Sequence, residues 1–150
     1  MRIVGAAFPR TGTVSVKYAL ERLGVAPSYH MHEVFLNPGH EAVWDAAWHG
    51  SLPDWPAFLA GYEATLDGPA CLHWEQLSLA FPEASILLLR RGPDEWYSSV
   101  GATVYPIVTA RADADSAMGM VKRVLFDGFF SGRFETGTTP SRCSRATVTR

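Results

Sequence analysis

The sequence is poor in cysteine, in net charge and in long apolar runs. Only Cys71 and Cys143 occur in its 150 residues. They stand far apart and in no metal-ligand spacing, which argues against a disulfide framework and for a reducing compartment, the cytoplasm by default. With 13 basic and 15 acidic residues the net charge is -2. That balance gives no general attraction to nucleic acid or to an anionic membrane. No apolar run approaches the roughly 20 residues that a membrane-spanning helix needs. The apolar run after Arg2 is short and leads straight into Phe8-Pro9-Arg10, unlike a signal peptide. What is present suffices for a globular domain with a sizeable core: 47% hydrophobic and 19% charged residues. Neither nucleic acid nor a membrane is an expected partner, and composition says nothing of oligomeric state.

The chain is organised around its opening stretch, Arg2 to Lys17. Ile3, Val4, Ala6 and Ala7 make the short apolar run of a strand buried on both faces. Pro9 lacks an N–H and ends that strand. Gly12 permits backbone geometry closed to residues with a side chain. Thr11 or Thr13 is placed to cap the helix that follows. Such a loop presents unpaired N–H groups, hydroxyls and the Arg10 guanidinium at a helix N-terminus, which suits phosphate or sulfate. It is not the GxxxxGK[ST] loop, because Thr13 follows Gly12 and the cation, Arg10, precedes it. The competing account is an ordinary strand-to-helix turn with a Ser/Thr cap.

Val16, Ala19, Leu20 and Leu23 recur at helical spacing until Gly24 stops the helix. A short strand is predicted between Val25 and Met31, with Pro27 at its start or on an edge. It delivers Tyr29-His30-Met31-His32-Glu33. After a turn at Asn37-Pro38-Gly39, Glu41 to His49 reads as a helix. Asp54 caps another, with Pro56 early in it, running to about Tyr62. Asp67-Gly68-Pro69 is a turn, and Cys71 to Phe81 a helix closed by Pro82. Ser85 to Arg90 is the clearest strand, a continuous apolar run of the kind found at the centre of a parallel sheet. Gly92-Pro93-Asp94-Glu95 opens a helix, with proline in the first turn and acids at the positive end of the dipole. A last helix is predicted from about Asp115 to Phe126. Beyond it the apolar period stops, so residues 1–131 read as an α/β domain with a parallel sheet and 132–150 as a disordered tail. Two strong strands and one or two weak ones are few for such a sheet, which leaves room for its being incomplete.

Arg91-Gly92-Pro93 and Ser98-Ser99 carry a second clue. They follow a strand end, where ligands bind in open α/β sheets. Arg91 and Ser99 suit a phosphate, one bidentate and one through a hydroxyl, although alone they read more simply as solvated groups. Taken together, the two stretches resemble the sulfotransferase family. Phe8-Pro9-Arg10-Thr11-Gly12-Thr13 is similar to the loop, of the type aromatic-Pro-Lys-Ser-Gly-Thr, that holds the 5'-phosphosulfate of 3'-phosphoadenylyl sulfate. Arg91-Gly92-Pro93 with Ser99 is similar to the Arg-x-Pro and later Ser that hold its 3'-phosphate. Tyr29-His30-Met31 with Glu33-Val34, and Pro69-Ala70-Cys71, extend the likeness over about residues 1 to 130. The resemblance implies a three-layer P-loop NTPase-like α/β domain with a central parallel sheet. It implies 3'-phosphoadenylyl sulfate as co-substrate, a small-molecule acceptor, no metal, and Arg10, Thr11, Gly12, Thr13, Ser15, Arg91 and Ser99 as donor-binding residues. Three features depart from the family pattern. Arg10 stands for the usual Lys, Val14 for a frequent second Thr (with Ser15 as the substitute hydroxyl), and the likeness stops before residue 150.

Sulfuryl transfer needs an in-line arrangement and neutralisation of the leaving phosphate. Arg10 is expected to neutralise it, helped by the N–H groups of Gly12 and Thr13. An acceptor hydroxyl or amine also needs a general base, commonly His or Glu. His30 and His32 are the catalytic candidates, with Glu33 beside them, and replacing His32 by Ala is expected to abolish turnover while sparing donor binding. By order along the chain, His73 matches the catalytic His of cytosolic sulfotransferases, but it reads better as a packed histidine among apolar neighbours. The five tryptophans read mainly as core. Two rivals stand beside sulfuryl transfer. A small-molecule kinase would want a Walker Lys after Gly12 and an Asp for Mg²⁺. A truncated, non-catalytic nucleotide-binding remnant would explain the patternless tail.

Overall fold

The computed structural model describes residues 1–113 and 116–134. Its sheet is built from β1 (Ile3–Ala7), β2 (Ser28–Tyr29), β3 (Ala64–Thr65) and β4 (Ser85–Leu89), all parallel, in the order β2-β3-β1-β4. The α/β reading with a parallel sheet is borne out. β1 runs beside β4 from Ile3 opposite Ser85 to Ala7 opposite Leu89, and Val4 and Ala7 have no exposure. Gly5 sits where β1 passes closest to β3. A Cβ there would strike the Thr65 carbonyl oxygen. Without one, the Gly5 N–H donates to Thr65 Oγ1 at 3.3 Å.

Each strand leads into a helical segment. α1 (Thr13–Arg22) follows β1 and α2 (Met31–Leu36) follows β2. The 3₁₀ turn Ala70–His73 and α5 (Trp74–Ala80) follow β3, and α6 (Pro93–Ala102) follows β4. The strand-to-helix loops therefore gather at the carboxyl ends of the strands, the edge where ligands sit in open α/β sheets.

Several expectations change in detail. Ser85 to Leu89 is not central: β4 forms one edge of the described sheet, and Ile86 and Leu88 are each 44% exposed. A continuous apolar run signals burial on both faces, and among the described residues that condition is not met. The second strand shrinks to Ser28–Tyr29, because Pro27 brings no donor before it and His30 already N-caps α2. Between them, α3 (His40–Trp48) matches its predicted helix, while α4 (Trp55–Phe58) stops short of Tyr62. Asp54 caps α4 as expected, accepting from the Ala57 N–H at 3.2 Å.

A helix without apolar period in the sequence, α7 (Val104–Ala110), follows α6. The last helix is α8 (Ala117–Val121), continued by a π-helical run, Lys122–Phe129; its predicted start at Asp115 lies outside the described residues. Packing also passes residue 131. Phe134 is 5% exposed and lies against Trp96, Tyr97, Tyr105, Phe126 and Phe130. Residues 135–150 of the expected tail lie outside the described residues, as does Cys143.

One core cluster joins Val4, Tyr29, Trp44, Trp55, Leu59, Leu77 and Met120, and a second joins Trp96, Val100, Val108, Phe126 and Phe130. Trp44, Trp55 and Trp96 are core, as read from their number and spacing. No described helix is long and apolar enough to cross a membrane.

Candidate active site

The loop after β1 closes on itself. The Thr11 N–H and hydroxyl both donate to the Phe8 carbonyl, at 3.3 and 2.7 Å. Arg10 (φ 68°) and Gly12 (φ 93°) are left-handed, a conformation that suits Gly12 and is strained at Arg10. Gly12 is the N-cap of α1, and no side chain caps that helix. Neither Thr11 nor Thr13 takes the capping role, because both hydroxyls are engaged elsewhere: Thr11 on Phe8, and Thr13 on His30 Nε2 at 3.1 Å. The first-turn N–H groups of α1 are left uncapped, at the positive end of its dipole.

Three hydrogen bonds tie this loop to the segment after β4. Arg10 Nε donates to Ser99 Oγ at 3.0 Å, Arg91 Nη1 to the Arg10 carbonyl at 3.0 Å, and Trp96 Nε1 to the Pro9 carbonyl at 2.7 Å. The two stretches singled out in the sequence, 81 to 89 positions apart, thus meet. Arg91 also lies 3.7 Å from Glu95. Ser15 is exposed in the first turn of α1. Trp96 was read only as core; its bond to the Pro9 carbonyl adds a second role, since a buried indole N–H requires an acceptor.

Beside the loop opens a cavity of about 250 Å³. Arg10, Thr13, His30, His32 and Asp67 supply its polar groups, and Val14, Met31, Phe35, Leu72, Ile107 and Met118 are among its apolar walls. His30 is 2% exposed and fully bonded. Its Nδ1 accepts the His32 N–H at 3.4 Å, so the proton sits on Nε2, which lies 3.1 Å from Thr13 Oγ1 and 3.0 Å from Asp67 Oδ2. Burial pulls His30 down to about 4, with His32 and Lys17 acting in the same direction. Burial pushes the Asp67 carboxyl up to about 7, against the Gly68 N–H and the Arg10 charge. The contact is therefore a hydrogen bond from a neutral imidazole and not an ion pair. Asp67 is left-handed as well, with φ 69°.

His32 is exposed at the cavity, its ring 4.6 Å from that of His30. Glu33 does not line the cavity; it accepts the Tyr62 hydroxyl at 3.0 Å. His73 is away from it too, 4% exposed among the rings of Trp44, Trp48 and Trp55. Asp67 was legible only as a turn residue; nothing in Asp67-Gly68-Pro69 announces a buried carboxyl. Among the described residues no group of three or more His, Cys, Asp and Glu is placed to hold a metal ion.

An α/β protein with a parallel sheet thus brings the uncapped start of α1 against Arg91 and Ser99 from the segment after β4. The sulfotransferase domain family matches the chain over residues 2–146, and the chain belongs to that family. It is 30% identical over 121 residues to Ava biosynthesis cluster protein M of Aspergillus versicolor, an alignment covering 75% of this chain and 46% of that protein. The chain thus spans about half the length of the curated relative it matches.

Proposed function

We propose that the chain transfers a sulfuryl group from 3'-phosphoadenylyl sulfate to a hydroxyl or amine of an apolar small molecule. The observation that carries this reading is the loop itself: α1 begins uncapped at Gly12, with Arg10 and Ser99 joined beside it. The N–H groups of the first turn and the Thr11 and Thr13 side of the loop suit the 5'-phosphosulfate, and the Arg10 guanidinium keeps Nη1 and Nη2 for charge that develops on the leaving phosphate. Arg91 and Ser99 suit the 3'-phosphate, and Ser15 can add a hydroxyl from the exposed first turn. His30 and His32 stand on the acceptor side. The mostly apolar walls of a cavity of about 250 Å³ fit a one- or two-ring phenol or alcohol better than a sugar or peptide.

Thermal unfolding with adenosine 3',5'-bisphosphate, the product nucleotide, tests donor binding. At a hundredfold excess over its dissociation constant it should add about 2.7 kcal/mol of stability, and Arg10→Ala should remove that gain. A midpoint indifferent to the nucleotide would sink the donor site. A second reading, a nucleotide-binding chain without catalysis, draws on the partial coverage of the relative. A nucleotide response with no sulfated 2-naphthol would favour it, and Mg²⁺-dependent ATP turnover would favour a kinase.

A further inference from the structure

We infer that Asp67 is the base of the transfer reaction: its free oxygen Oδ1 takes the proton of the acceptor while His30 holds the other oxygen. This rests on the sulfuryl-transfer reading above. Asp67 lines the cavity shared with Arg10 and Thr13. Its side chain is 10% exposed, Oδ2 is held by His30 at 3.0 Å, and Oδ1 is buried without a hydrogen-bond partner. A buried carboxylate oxygen left open is costly, so its persistence beside an anion loop points to a ligand donor that fills the place. The backbone agrees: among the described residues the non-glycine positions with positive φ are Arg10, Asp67 and Ser131, and the first two line this one cavity.

The histidines are less well placed for the role. Both His30 ring nitrogens are already engaged, one by a backbone N–H and one by Thr13 and Asp67. His32 is exposed to solvent at the cavity. A carboxyl that titrates near 7 is a far better base than an ordinary carboxylate, and about half of it is ionised at neutral pH.

The step balances without a further reactant. A lone pair of the acceptor oxygen forms the new S–O bond. The bond from sulfur to the bridging phosphate oxygen breaks, and its electron pair leaves with adenosine 3',5'-bisphosphate. The acceptor O–H proton passes to Asp67 Oδ1. His30, through Nε2–H, keeps the carboxyl oriented and needs no change of protonation.

The test uses the full chain, 3'-phosphoadenylyl sulfate and 2-naphthol. Asp67→Asn preserves shape and tolerates a left-handed backbone; it should lower kcat at least a hundredfold while the thermal shift with adenosine 3',5'-bisphosphate persists. The wild-type kcat/KM profile should fall on the acid side of about pH 7, and this readout needs no variant. Turnover within a few-fold of wild type in Asp67→Asn, or a profile flat from pH 6 to 8, overturns the assignment. So does turnover that survives Asp67→Asn and dies in His32→Ala, which would hand the proton to His32. Wild-type protein that binds the nucleotide and sulfates nothing overturns the transfer reading, and Asp67's role with it.

Discussion

His73 lies in a cage of indoles, its ring 5.7 Å from those of Trp44 and Trp55, with neither ring nitrogen hydrogen-bonded. Burial lowers its pKa below the usual 6.5. An unfolded chain therefore takes up a proton at His73 as pH falls through 6.5, and the folded chain resists it, so stability is full above that pH and declines below it. His30 acts with the same sign between about 6.5 and about 4. Asp67 acts with the opposite sign: its folded carboxyl is protonated from about 7 downward and its unfolded one only from 3.8. These two largely offset each other between pH 4 and 6.5, which leaves His73 as an uncompensated acid liability. His73→Leu should raise the unfolding midpoint at pH 7 by about 1 kcal/mol of stability, since it removes an unsatisfied buried polar group, and by more at pH 5. Asp67→Asn should steepen the acid loss. Midpoints measured from pH 5 to 8 check both, and parallel curves for wild type and His73→Leu would clear His73 of the liability.

β1 depends on the absence of a side chain at residue 5. The Thr65 carbonyl oxygen occupies the space a Cβ needs, and backbone in the middle of a sheet has little freedom to yield. Gly5→Ala should cost about 3 kcal/mol or more, by the cost of overpacking a close-packed site, read as a lower urea midpoint at unchanged slope. A loss under about 0.5 kcal/mol, the range of an ordinary surface change, would mean that β1 and β3 separate easily. The two long strands were legible because each is a run of apolar residues ended by proline or arginine. β2 was read as a longer strand between Val25 and Met31, and β3 was missed, since two residues hold no period. α7 was missed, since Pro106 lies within it and its short run holds no apolar period. The loop after β1 was legible as a strand-to-helix turn and misread in its cap: Thr11 and Thr13 have the right hydroxyls, but partners at Phe8 and His30 claim them. The burial of Asp67 was invisible, because it is set by residues far from it in sequence.

For the molecule as a whole, the sheet is asymmetric. Its β4 edge is open among the described residues, with Ile86 and Leu88 partly exposed. Edges of this kind pair with other chains. The purified chain should gain mass with concentration in sedimentation, and Leu88→Lys should suppress the gain while leaving the nucleotide response intact. Association unchanged by Leu88→Lys would place the contact elsewhere. The opposite flank of the same pairing sets a timetable. Arg10 and Ser99 meet across 89 positions, and β1 reaches β4 only after nearly as much chain has been made. Closing so long a loop is slow relative to forming a helix. On a ribosome, the loop after β1 emerges ahead of α6 and gains its arginine-serine clasp only once α6 has followed it out.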